Sequence, residues 1–273
     1  WTPLQRRPVL LSQATRDPAG LADPATMAPR APVSGHPRSE PSSRTPLQWR
    51  AVSEPAYVLS LSEDTVPADR RVPLPPANRV LYARAGEVVV NAGGREICLP
   101  AGHAWHGAGA VAMVAAGGSG ATVLRWELVR GGVAPAAPRD VATRVLLEHT
   151  IDLDPRAPHL MRCDRVDFAP GSVALPHRHR GGGIRCLLAG ALDVTVGDAP
   201  ARAMTPGSAW FESGREPVLA VASKDVPTSF VRVSVLPREL LGRTSIVYVD
   251  PADAERGRPR SYTVYVDEPI EIA

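Results

Sequence analysis

The sequence predicts an all-β protein made of two copies of one barrel-forming unit, with a flexible segment in front. Three observations predict it. The 273 residues hold 23 Gly and 29 Pro against 3 Phe, 5 Tyr and 5 Trp, a balance that gives many turns and few long helices. Short β-rich runs recur from Ala56 onward, separated by Gly, Pro, Asn and Asp, as in a sandwich or barrel. Those runs also fall into two similar sets.

The front of the chain reads differently. Nine prolines lie between Pro3 and Pro46 among Ser, Arg and Ala, with no hydrophobic periodicity. Residues 1–47 are therefore expected to be a disordered arm. The chain opens on Trp1 and not on Met, so a leader removed upstream would leave no trace. The expected location is the cytoplasm, or a secreted or periplasmic one if a signal peptide was removed before Trp1.

Residues 48–130 form the first expected domain, with strands over 57–61, 79–82, 87–90, 97–99 and 122–129. A linker over 131–145 begins GGVAPAAPRD. The second domain, 146–240, has strands over 165–168, 184–188, 192–196, 209–212, 218–221 and 230–236. The remaining residues, 241–273, are an extension with a charged loop over 253–260 and an alternating strand over 261–266.

The two sets read as a duplication. Gly86 opens GEVVVNAGGREICLPAGHAW and Gly190 opens GALDVTVGDAPARAMTPGSAW, 104 positions later. Trp105 and Trp210 lie 105 apart, and the closing runs TVLRWELV and SFVRVSVL lie 107 apart. So small a drift fits one β-unit copied with minor loop changes.

Charge and cysteines exclude several classes. The net charge is +3, and all but one of the 31 basic residues are Arg, Lys224 being the exception. The arginines are scattered and not interleaved with aromatics, so no nucleic-acid partner is expected. No run approaches the ~20 apolar residues of a membrane helix, so no membrane partner is expected. Cys98, Cys163 and Cys186 are too few for a disulfide framework and match no zinc spacing. Cys163 and Cys186, on separate strands, read as buried thiols.

One segment carries chemistry: Gly171-Ser-Val-Ala-Leu-Pro-His177-Arg178-His179. Histidines at i and i+2 of a strand share a face, and both imidazoles can then reach one metal ion. On spacing alone, the alternative is a half-exposed pair at a loop edge beside Arg178 and Arg180. Arg185 lies two residues past Gly183, so strand parity points both into the barrel. A buried arginine needs an anionic partner. That partner is either Glu212 or another carboxylate, or a substrate carboxylate or phosphate gripped by the guanidinium fork. Gly181, Gly182 and Gly183 would let a ligand approach the backbone closely. Trp210 lines the barrel mouth or fills the core, and Trp105 at the matching repeat position favours the core.

The segment resembles the first cupin motif: a glycine, five residues, His-x-His, a glutamate and a closing glycine. Gly171 and Gly190 match the glycines, and His177 and His179 match the two histidine ligands. The glutamate position falls on Gly183, so that ligand is missing. In the second motif Gly207 matches the glycine, Ser213 and Arg215 stand where Pro-x-Gly is expected, and Val218 stands at the histidine. In the first unit the ligand positions fall on Pro73, Pro75 and Arg79, so that half reads as structural or dimerising, without metal.

The resemblance implies two tandem cupin-like barrels, of double-stranded β-helix or jelly-roll type, over about residues 50–240. It implies a divalent metal ion (Fe, Mn, Ni or Zn) on His177 and His179, with Glu212, Glu216 and His159 as local candidates to complete the shell. The implied activity is that of a metal-dependent enzyme of oxygenase, isomerase or decarboxylase type. Its substrate is a small carboxylated or otherwise anionic molecule touched by Arg185 and Trp210. The alternative is a non-catalytic small-ligand-binding or structural bicupin. A homodimer is implied by the resemblance alone.

Overall fold

The computed structural model describes residues 56–139, 141–256 and 260–272. The arm expected over 1–47 lies outside them. The first barrel is built from β1 (Tyr57–Val66), β2 (Arg71–Leu74), β3 (Asn78–Ala85), β4 (Glu87–Ala92), β5 (Arg95–Leu99), β6 (Ala104–Gly107), β7 (Val111–Ala116), β8 (Ala121–Arg130) and β9 (Ala142–Ile151). The second is built from β10 (His159–Phe168), β11 (Val173–His179), β12 (Gly183–Ala189), β13 (Leu192–Val196), β14 (Arg202–Met204), β15 (Ala209–Glu212), β16 (Val218–Ala222), β17 (Thr228–Pro237), β18 (Ile246–Tyr248) and β19 (Arg260–Ile270).

The pairing repeats strand for strand. The first barrel has sheets β6-β3-β8-β1-β9 and β2-β7-β4-β5, and the second has β15-β12-β17-β10-β19 and β14-β13-β16-β11-β18. Within each barrel this is the jelly-roll order of two facing antiparallel sheets. Glu87 and Leu192 open matching strands, as do Ala121 and Thr228. The repeat seen in the sequence is thus a repeat of structure.

Burial follows from where each strand lies. β4 buries Val88 and Val90 and exposes Glu87, the alternation of a strand with one wet face. In β17 every residue from Thr228 to Leu236 is buried. One of its faces lines its own barrel, and the other packs against the first barrel. The β6-β3-β8-β1-β9 and β15-β12-β17-β10-β19 sheets meet in one apolar layer: Leu59, Leu61, Val80 and Trp126 come from one barrel, and Met161, Ile184, Val231 and Val233 from the other. Trp126, fully buried, donates its indole N–H across that layer to the Ile184 carbonyl at 3.2 Å.

Two elements depart from the sequence expectation. β9 begins inside the expected linker, crosses the boundary at 146 and pairs with β1, so the first sheet runs past it. It is an edge strand in which Ile151 alone is buried, so it carries no inward-facing apolar pattern to signal it. The charged segment from Asp253 opens within a short 3-10 turn, Pro251–Ala254, and strand structure resumes at Arg260. The acidic tail is anchored by charge. Asp267 pairs with Arg162 at 2.8 Å, and Glu268 meets His106 of the first barrel at 2.9 Å. No helix among the described residues is long and apolar enough to cross a membrane.

Candidate functional site

The first barrel is closed by its own charges. Arg79, at the position of the motif glutamate, donates to Glu127 Oε1 from Nε at 3.0 Å and from Nη2 at 2.7 Å. Arg125 reaches Asp64 Oδ2 at 2.7 Å and Glu127 Oε2 at 2.5 Å. The chain after β8 caps the cluster, with Ala136 N–H donating to Glu127 at 2.9 Å and its carbonyl accepting from Arg125 at 2.9 Å. Two guanidiniums and two carboxylates, all 0 % or 1 % exposed, balance one another there. No imidazole takes part in these contacts.

In the second barrel β11 carries His177 and His179 on one face, both buried, with Arg178 between them turned to solvent. Pro176 sits where the β11–β16 register shifts, a place where its missing N–H breaks no ladder bond. The imidazoles meet edge to face, with centroids 4.9 Å apart. His177 Nδ1 lies 2.7 Å from the Leu175 carbonyl, so Nδ1 carries the proton and Nε2 keeps its lone pair.

The carboxylate of this site comes from the strand opposite the expected one. Gly183 on β12 is directly across from Glu212 on β15, and Arg185 is across from Trp210. Glu212 Oε2 sits 2.7 Å from Arg185 Nη2 and 3.3 Å from His179 Nε2, while Oε1 accepts from the Trp210 indole at 2.8 Å. Burial pushes the Glu212 carboxyl up, but the Arg185 guanidinium and the His179 and Trp210 contacts outweigh it and hold it well below the usual carboxylate range. Arg185 also donates from Nη1 to the Gly183 carbonyl at 2.5 Å. Behind it, Arg232 is bound by Asp164 at 2.7 and 3.0 Å.

The sequence-chosen residues thus divide. His177, His179, Arg185 and Trp210 all line one small cavity of about 20 Å³, room for a water or a small ion. Glu212 is there with them. Trp210 is also core, packed edge to face on Phe230. Glu216 is exposed and bonded to Ser213, and His159 lines a different cavity, so neither joins the pair. Arg232, Arg260 and Tyr262 line the cavity too, and nothing local in the sequence singles them out. Only the tertiary pairing of β10 with β17 and β19 brings them in. A separate cavity of about 390 Å³ shares Arg232 and Tyr262 with the small one and is also lined by Arg243, Thr244 and Ser245.

At Gly181 and Gly183 the close approach is made by protein, while Gly181 and Gly182 also line the cavity that holds His159. A Cβ on Gly183 would collide with the Val233 carbonyl, and one on Gly181 with that of Val235. What approaches this backbone is β17. Gly183→Glu, which would restore the motif carboxylate, is therefore expected to destabilise the fold by about 3 kcal/mol or more and to create no metal site. Thermal melting with and without added Mn²⁺ or Fe²⁺ checks it, and a metal-stabilised variant would refute the reading.

Burial, assisted by Arg260 and Arg232, pushes His177 down to about 4. Burial, assisted by Arg232 and Arg185, pushes His179 down to about 3. Both imidazoles are neutral at pH 7. Their folded values lie below the unfolded ~6.5, so the unfolded chain binds more protons on acidification. The stability they support is present above pH ~6.5 and is lost as pH falls towards 4 and then 3. Urea unfolding between pH 6 and 4 should lose up to about 1.4 kcal/mol per pH unit for each histidine. His177→Gln with His179→Gln should flatten that slope, and an unchanged slope would refute the assignment.

A divalent ion does not fit the donors as they stand. Among the described residues no three His, Cys, Asp or Glu side chains converge as metal ligands. The one nearby carboxylate is already neutralised by Arg185, and Arg232 adds a second guanidinium to the wall. Arg232 is itself paired with Asp164, so both carboxylates are committed to arginines and neither is left for a dication.

Two jelly rolls joined face to face, one with a closed ion-pair cluster beside its apolar core and one keeping a small polar cavity, define a double-barrel protein. Comparison with solved structures finds proteins of similar fold. The oxalate decarboxylase of Bacillus subtilis, solved as a point mutant, superposes with a TM-score of 0.51 at 13% identity, over 72% of this chain and 73% of that one. The salicylate 1,2-dioxygenase of Pseudaminobacter salicylatoxidans matches with a TM-score of 0.47 at 8% identity, over 77% and 75%. A cupin 2 conserved barrel domain protein from Leptotrichia buccalis matches with a TM-score of 0.42 at 14% identity, over 67% and 85%. No protein-family model and no curated protein sequence matches the chain. At such low identity the likeness shows the fold alone, a tandem of two jelly-roll barrels as in the oxalate decarboxylase structure.

Proposed function

We propose that the second barrel binds a small anion, or the carboxylate end of a small molecule, and that the first barrel is its structural half. One observation carries this. Arg185 Nε and Arg260 Nη2 are buried N–H donors without an acceptor, on residues that line the inner cavity. Arg185 Nη2 touches Glu212 Oε2 at 2.7 Å as an ion pair whose N–H is not aimed at the oxygen. Buried donors of this kind call for an acceptor, and an oxyanion supplies several.

The reading favours binding over turnover. With histidines of such low basicity and a carboxylate held in an ion pair, no group is poised as a general base near pH 7. The metal-dependent enzyme implied by the motif rests on His177 and His179 alone, supported by the free Nε2 lone pair of His177. Free thiols, including exposed Cys98, support a reducing and hence cytoplasmic setting. A homodimer belongs to the same proposal: β9 ends its sheet at an edge and exposes Val145.

The test is calorimetric titration of chelator-treated protein with formate, oxalate and bicarbonate at constant ionic strength. At least one should bind, and the paired replacement Arg185→Met with Glu212→Leu should abolish that binding while the chain stays folded. Elemental analysis of untreated protein runs beside it. About one ion per chain, lost in His177→Ala with His179→Ala, together with anion binding that vanishes on chelation, would replace this reading by the metal one.

A further inference from the structure

We propose a second ligand site where the two barrels meet, for a small uncharged planar ring that donates hydrogen bonds, such as a pyrimidine base or a phenol. It does not depend on the anion reading. The cavity is about 420 Å³, far larger than the inner one of about 20 Å³ and in the size range of small-molecule pockets. Its walls come from β9, the segment leading into β10, the β11–β12 turn and the loop after β15.

Three features fix the chemistry. First, His149 of β9 stacks on Phe211 of β15, with centroids 3.7 Å apart and planes within 10°. His149 is exposed, so this ring platform has a second face open to a further ring. Its Nδ1 is held by the Thr150 carbonyl at 2.7 Å, which leaves Nε2 as an acceptor. Second, His159 is buried in the same wall, and its Nδ1 has no hydrogen-bond partner. Burial keeps it neutral, so one of its ring nitrogens is an acceptor as well. Third, the rim charges cancel. Asp152 pairs with Arg215 at 3.1 Å across the mouth, Asp154 with Arg156 at 3.2 Å, and Arg180 with Glu239. A site with two acceptors, a ring platform and balanced charge selects a neutral donor-bearing ring over an ion.

The probes are uracil and phenol, with cyclohexanol as the aliphatic control, followed by saturation-transfer NMR and calorimetry on the full chain. Uracil or phenol should bind about tenfold or more tightly than cyclohexanol. His149→Ala should weaken that binding about tenfold and leave formate binding unchanged, since His149 does not line the inner cavity. His159→Gln should weaken it less, because an amide still accepts. The His149 imidazole resonances of the unsubstituted protein should shift during the uracil titration, which keeps the test independent of how the variants fold. No binding of either ring compound at about 10 mM, or binding that neither variant nor cyclohexanol distinguishes, would overturn the proposal.

Discussion

Replacing Glu212 with leucine is expected to cost about 3–5 kcal/mol of folding stability, because it leaves the Arg185 guanidinium buried at 1 % exposure without its counter-charge. The Trp210 indole loses its acceptor in the same step. Arg185→Met together with Glu212→Leu should recover most of the loss, since two apolar side chains of similar size replace the pair without stranding a charge. Urea unfolding of the two single variants and the double closes the cycle. A cost below about 1 kcal/mol for Glu212→Leu would show that water screens the pair, and the closed inner cavity would then be wrong.

A still larger effect is expected in the first barrel, far from the candidate site. Glu127 answers both Arg79 and Arg125 and also takes the Ala136 N–H. Glu127→Leu strands Arg79, leaves Arg125 with Asp64 alone, and puts two buried guanidiniums against one carboxylate. The loss should exceed about 5 kcal/mol, which is comparable to the whole stability of an ordinary domain. The readout is soluble yield and, where protein is obtained, the urea midpoint. Glu63→Leu is the contrast. Glu63 also meets two arginines, Arg84 and Arg144, but those are part-exposed and exposed, so the cost should stay near ~1 kcal/mol. Equal effects at Glu127 and Glu63 would refute the view that burial decides the magnitude.

Much of this architecture is legible in the chain. Short runs broken by Gly and Pro, and the recurrence of Gly86 at Gly190 and Trp105 at Trp210, lead to two like barrels because the jelly roll is duplicated with few insertions. The gaps have physical causes. β9 is an edge that buries little, so its sequence lacks alternation. β7, VAMVAA, is too uniform for period two to show. At the site, parity places His177, His179 and Arg185 on inward faces, because side-chain direction is local. Whether Arg185 meets Glu212 or a ligand is not local. It depends on Gly183 lying across from Glu212, a pairing between strands separated by the whole β13–β14 hairpin. The same holds for Arg260, whose strand returns from the far end of the chain to lie beside β10.

The apolar layer between the two barrels bears on how the molecule comes apart. A seam that includes Trp126 and the fully buried run of β17 leaves neither barrel a finished exterior of its own. Melting should then be a single cooperative calorimetric event, with matching van't Hoff and calorimetric enthalpies. Mass action would make any ligand held in the second barrel a stabiliser of the first, whose own interior is closed by its ion pairs and apolar core.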